Sequence, residues 1–82
     1  SDEDTLVLQS DKNYFLRMAI TEVPEKKKGA IGVRGMRVGA KEEMTAAWYL
    51  GNGEMITTKT DKGEVHLERL HLASRDTRGV KH

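Results

Sequence analysis

The sequence predicts an all-β fold built from a repeated sheet unit, and three observations carry that expectation. Short segments rich in β-branched or apolar residues are each followed by a turn signal. The pattern recurs at an offset of 50 residues, aligning Asp11 with Asp61, Lys12 with Lys62, Ile20 with Leu70 and Gly29 with Gly79. The strongest apolar run, residues 44–50, has strand length and stops at the turn cluster Gly51-Asn52-Gly53.

Taken in order, Thr5-Leu6-Val7-Leu8-Gln9 reads as a strand that turns at Asp11-Lys12-Asn13 and returns along Tyr14-Phe15-Leu16-Arg17-Met18-Ala19. Asparagine tolerates positive φ at the third turn position. The return strand is apolar on both sides, so it should be covered on both faces. Ile31-Gly32-Val33-Arg34-Gly35-Met36-Arg37-Val38 reads as a further strand. Residues 41–47 contain good helix formers, but the length of the 44–50 run and its flanking glycines favour strand. Glu54-Met55-Ile56-Thr57-Thr58-Lys59-Thr60 forms the next strand, followed by the turn Asp61-Lys62-Gly63 and the return strand Glu64-Val65-His66-Leu67-Glu68-Arg69. Leucines at 67, 70 and 72 could make one helical turn, yet the repeat predicts strand and then loop.

A period near 50 belongs to stacked sheet units such as propeller blades. Residues 5–50 then form a first blade repeat and residues 54–81 the start of a second, about one and a half units in all. The chain 1–82 is expected to be a single partial domain, a fragment cut from something longer.

Val, Ile, Leu and Phe make up 17 of 82 residues, so the core is thin and a second domain is excluded. The absence of cysteine excludes disulfide staples, thiolate zinc sites and thiol nucleophiles, and permits a reducing compartment. No apolar run is long enough to cross a bilayer, so no membrane partner is expected. Charge is segregated: residues 1–11 carry −4, residues 12–41 carry +6, residues 42–64 carry −3 and residues 65–82 carry +2. Segregated positive charge makes a polyanion partner worth testing, although a charge run is usually just a solvated face.

The run Gly29-Ala30-Ile31-Gly32-Val33-Arg34-Gly35, preceded by Lys26-Lys27-Lys28, lacks the lysine and the following helix of a phosphate-cradling loop. It also lacks the flanking helices of a KH-type clamp. Two readings stay open. In one, Gly29, Gly32 and Gly35 let a phosphate backbone approach while Lys26, Lys27, Lys28, Arg34 and Arg37 neutralise it; in the other, the segment is a sheet bend with solvated lysines. His66, His71 and His82 have no metal-ligand spacing and are expected at the surface. Glu42 and Glu43 are adjacent, cannot face one another as an acid and base pair, and read as solubilising charges. Tyr14, Trp48 and Tyr49 are expected in the core, with base stacking as the rival. No nucleophile arrangement follows from the spacing, so the chain does not read as a self-contained enzyme.

Asn13-Tyr14-Phe15-Leu16-Arg17 together with Val23-Pro24-Glu25-Lys26-Lys27-Lys28-Gly29-Ala30-Ile31-Gly32-Val33-Arg34-Gly35-Met36-Arg37-Val38 resembles a blade repeat from the C-terminal DNA-wrapping domain of bacterial DNA gyrase, in its A-type subunit, or of the related topoisomerase IV. Arg78-Gly79-Val80-Lys81 is similar to the start of the same Gly-Val-Arg/Lys motif in the next blade, and the likeness spans about residues 5–81. The resemblance implies a β-pinwheel of four-stranded antiparallel blades that exchange strands. It also implies nonspecific binding and bending of double-stranded DNA along a basic rim. Lys26, Lys27, Lys28, Arg34 and Arg37, then Arg75, Arg78 and Lys81, would be the DNA-binding positions, and Gly29, Gly32 and Gly35 the bend. The parent implied is a cytoplasmic, ATP-dependent type IIA topoisomerase. Its catalytic tyrosine, its ATP and Mg2+ sites, its ATPase B-type subunit, and the rest of the A-type subunit lie outside this chain, which has no cofactor of its own. Neither Tyr14 nor Tyr49 matches the surroundings of that tyrosine. The Gln-Arg-Arg-Gly-Gly-Lys-Gly box that marks gyrase is absent; either it lies in another blade or the parent resembles topoisomerase IV. Two rival readings are an interaction module without nucleic-acid binding, including a strand-exchanged homodimer, and a small barrel binding single-stranded RNA through Tyr14, Trp48 or Tyr49.

Overall fold

The computed structural model describes residues 3–22 and 38–82. Among these the regular structure is strand, plus two single-turn 3-10 helices at Ile20–Glu22 and Leu67–Arg69. The strands are β1 (Thr5–Ser10), β2 (Tyr14–Ala19), β3 (Met44–Leu50), β4 (Thr57–Thr60), β5 (Gly63–His66) and β6 (Val80–Lys81). They form a four-stranded antiparallel sheet in the order β3-β1-β2-β6 and a separate β4-β5 hairpin. The all-β expectation holds.

Both hairpin turns use the residue that the sequence offers for positive φ: Asn13 at 65° and Gly63 at 121°. The first is closed by the Asn13 amide donating to Ser10 O at 3.0 Å. The fully buried Ser10 Oγ accepts the amides of Lys12 and Tyr14, each at 3.3 Å.

Strand alternation divides the core into two layers. Leu6, Leu8, Leu16 and Met18 form one cluster, and Val7, Phe15, Leu50, Val65 and Leu67 form the other, so β2 is buried on both faces as its composition requires. Val65 and Leu67 place the β4-β5 hairpin on the second face. A register shift between Gln9 and Ser10 sets Met44 opposite Ser10 and lets it join the first cluster.

Four expectations need correction. The strand expected over 54–60 begins only at Thr57, because the Glu54 amide turns back onto Gly51 O. The return strand expected over 64–69 ends at His66: Leu67 still bonds Ile56 O, but the Arg17 guanidinium takes the Glu68 and Leu70 carbonyls and the chain coils into a 3-10 turn. Tyr49 is 54% exposed, because β3 is an edge strand with no neighbour on its far side among the described residues; its hydroxyl donates to Asp4. That bond raises the Tyr49 pKa above its usual value. Glu42 is buried rather than solubilising, because Arg78 closes over its carboxylate. The strand expected over 31–38 falls outside the described residues apart from Val38, which is irregular.

Candidate nucleic-acid interface

The connector leaving the Leu67–Arg69 turn is laid along the free edge of β2. Leu72 bridges Arg17 in parallel, and the Ala73 amide donates to Arg17 O at 2.8 Å. Further along, β6 pairs antiparallel with Tyr14 and Phe15, and the His82 amide donates to Asn13 O at 2.9 Å. Between these two attachments the chain is exposed over residues 74–77. This stretch is held by the Arg75 amide donating to Glu22 Oε1 at 3.0 Å and by Thr77 Oγ1 donating to Ser74 O at 2.8 Å.

Arg75, Arg78 and Lys81 therefore lie on one anchored connector along one sheet edge. Arg75 and Lys81 are exposed. Arg78 is engaged: its Nη2 lies 2.7 Å from Glu42 Oε1, and its Cζ sits 3.9 Å from the centroid of the Tyr14 ring. Lys26, Lys27, Lys28, Gly29, Gly32, Arg34, Gly35 and Arg37 lie outside the described residues.

Two exposed lysines were not singled out by the sequence. The hairpin turns carrying Lys12 and Lys62 meet where Asn13 Nδ2 donates to Asp61 Oδ1 at 3.3 Å, at the end of the sheet where β6 finishes. Their equivalent places in the repeat were the available signal. Arg17 was also missed as a structural residue. Its guanidinium donates to Thr5 Oγ1 at 3.0 Å, Glu68 O at 2.8 Å and Leu70 O at 3.1 Å, tying β1, β2 and the second hairpin together. A single base inside an otherwise apolar strand was the trace it left.

The three expected core aromatics divide. Trp48 is half-buried and stacks on Phe15 at 6.3 Å, Tyr14 is half-buried beneath Arg78, and Tyr49 is exposed. Of the histidines expected at the surface, His71 is exposed and His66 and His82 are half-buried. The His66 ring bonds Thr57 Oγ1 at 2.9 Å.

Glu42 is the most deeply placed charge near the connector, its side chain only 1% exposed. The neighbouring Ser10 hydroxyl, the Gly39 amide and Arg78 all favour its carboxylate form and outweigh the burial that opposes it, so its pKa lies below the ordinary 4.5. A carboxyl with a depressed folded pKa adds stability that is complete above the unfolded value and is lost as pH falls through the folded one. The melting temperature should therefore hold steady near neutrality and fall as the solution is acidified below about pH 4.5. In Glu42→Gln the acid fall should be shallower. An equally steep fall in that variant would remove Glu42 as its source.

A family described as "DNA gyrase C-terminal domain, beta-propeller" matches residues 4–47, more than half of the chain. No curated protein and no solved structure matches it.

Proposed function

The chain belongs to the family of the DNA gyrase C-terminal domain, and from that premise we propose that it binds duplex DNA without sequence preference and holds it curved for a type IIA topoisomerase. The observation that supports this reading is the anchored connector, which projects Arg75 and Lys81 from a single sheet edge. Cations held along one edge can follow a phosphate backbone, and phosphate contacts carry affinity without reading bases. In this reading Lys26, Lys27, Lys28, Arg34 and Arg37 extend the same surface, and Gly29, Gly32 and Gly35 allow the backbone to approach. Among the described residues no three carboxylate or histidine groups gather as a metal site would require. ATP, Mg2+, the cleaving tyrosine, the remainder of the A-type subunit, and its ATPase B-type partner are assigned elsewhere in a cytoplasmic parent enzyme by the same reading.

Counterion release provides the test. Duplex affinity should fall steeply with salt, by about 0.9 in log K per neutralised phosphate for each tenfold rise in salt. Changing Lys26, Lys27 and Lys28 together to alanine should flatten that slope. A slope of zero, or one untouched by the triple substitution, would overturn the proposal.

A second reading rests on a separate observation: the β4-β5 hairpin has no third strand among the described residues. Open strand edges invite pairing with another copy. Sedimentation should then reveal association that grows with concentration, and a monomer at every concentration would dismiss it.

A further inference from the structure

We infer that Arg78 is a positioning residue: paired with the buried Glu42, it seats the β6 strand on β2 and leaves phosphate contact to Arg75 and Lys81 on either side. The division of phosphate contact rests on the DNA-binding reading; the seating of β6 does not.

Three features converge on the pair. Glu42 Oε1 accepts both the Gly39 amide at 2.7 Å and the Arg78 guanidinium at 2.7 Å. Its Oε2 is buried without a bond of standard geometry, so the whole pairing runs through Oε1. The guanidinium also lies over the ring of Tyr14, on the strand that β6 joins. Gly39 makes the room: a Cβ there would lie 3.0 Å from Glu42 Oε1 and 3.1 Å from Arg78 Nη1.

Energetics decide between latch and ligand. For Arg78 to turn out to a phosphate it would abandon a carboxylate whose side chain is 1% exposed. Arg78 itself is 37% exposed, but leaving the buried Glu42 carboxylate uncompensated costs more than an exposed ionic contact returns. Among the described residues Arg75 and Lys81 have no such carboxylate partner; the Arg75 amide is held by Glu22, and the Lys81 backbone by the β6 pairing that the latch seats.

The test uses the full-length parent subunit with two readouts, hydrogen exchange of the His82 amide and the salt slope of duplex binding. Arg78→Ala and Glu42→Gln should each speed His82 exchange by about tenfold or more, and the double variant should do no worse than either alone. Glu42→Gln is nearly isosteric, so it reads the latch even where Arg78→Ala folds poorly. Arg78→Lys, which lacks the planar fork, should not restore slow exchange. The salt slope should fall by up to about 0.9 in Arg75→Ala with His82 exchange unchanged, whereas any fall in Arg78→Ala should come together with faster His82 exchange. A slope lost in Arg78→Ala with His82 exchange unaltered would overturn the inference, as would full rescue by Arg78→Lys. Were the unaltered protein to leave DNA unbound through this segment, the functional reading alone would fail and the exchange measurements would still judge the latch.

Discussion

Alanine at position 79 is expected to unseat β6 and to lower the melting temperature by roughly 12–24 °C, the shift that about 3 kcal/mol produces in a domain of this size. Gly79 has φ of 84°, and a Cβ there would lie 2.2 Å from Phe15 O and 2.7 Å from Phe15 C. The left-handed backbone alone costs a substituted residue about 1–2 kcal/mol. The remainder comes from the clash, which no rotamer can relieve because the obstacle is β2 backbone. Strand and connector must separate, and the bond from the His82 amide to Asn13 O is the first to go. Gly53 supplies the control: its φ is 83°, nearly identical, but nothing lies within 4 Å of the missing Cβ. Gly53→Ala should cost only the backbone strain. Thermal melts giving the two variants equal losses would show that close approach of strands is not what Gly79 provides.

The second large effect is expected at Arg17. Arg17→Met keeps an apolar stem and removes all three donated bonds, to Thr5 Oγ1, Glu68 O and Leu70 O. Hydrogen bonds from a charged donor contribute about 1.5–3 kcal/mol each, and shared partners make the sum less than additive, so a total near 3 kcal/mol is expected. The two carbonyls would be left beside Leu67, which is fully buried, and the second hairpin should loosen from the sheet. Arg17→Lys should recover part of the loss, because an ammonium can serve one carbonyl but cannot span the three acceptors as the fork does. Urea unfolding in which lysine and methionine prove equally costly would argue against the fork, and one in which neither costs anything would remove Arg17 as the tie.

Much of the fold was legible because it is local. Residues 5–9, 14–19 and 44–50 announce strands by composition and length, and Asn13 and Gly63 announce turns by the φ they permit. The strand ends at 57 and 66 were not legible, since each is set by a contact made elsewhere: Glu54 turning back on Gly51, and Arg17 reaching carbonyls about fifty residues further along. The candidate interface divides in the same way. The family resemblance marked Arg75, Arg78 and Lys81 as one basic group. It could not distinguish the exposed arginine at 75 from the engaged one at 78, because the carboxylate responsible is Glu42, 36 positions away and beside a second glutamate of identical appearance.

By itself the sequence determined the β class and the hairpins, written in short-range patterns of apolar period and turn residue, while the likeness of its glycine-rich basic motif to a known blade repeat pointed to the family. Only the tertiary structure decided which charges are buried and which are available. Burial of an ion depends on what surrounds it from every direction; Glu42 is buried and Arg78 engaged because the loop before β3 meets the connector and β2, a meeting that no local spacing encodes.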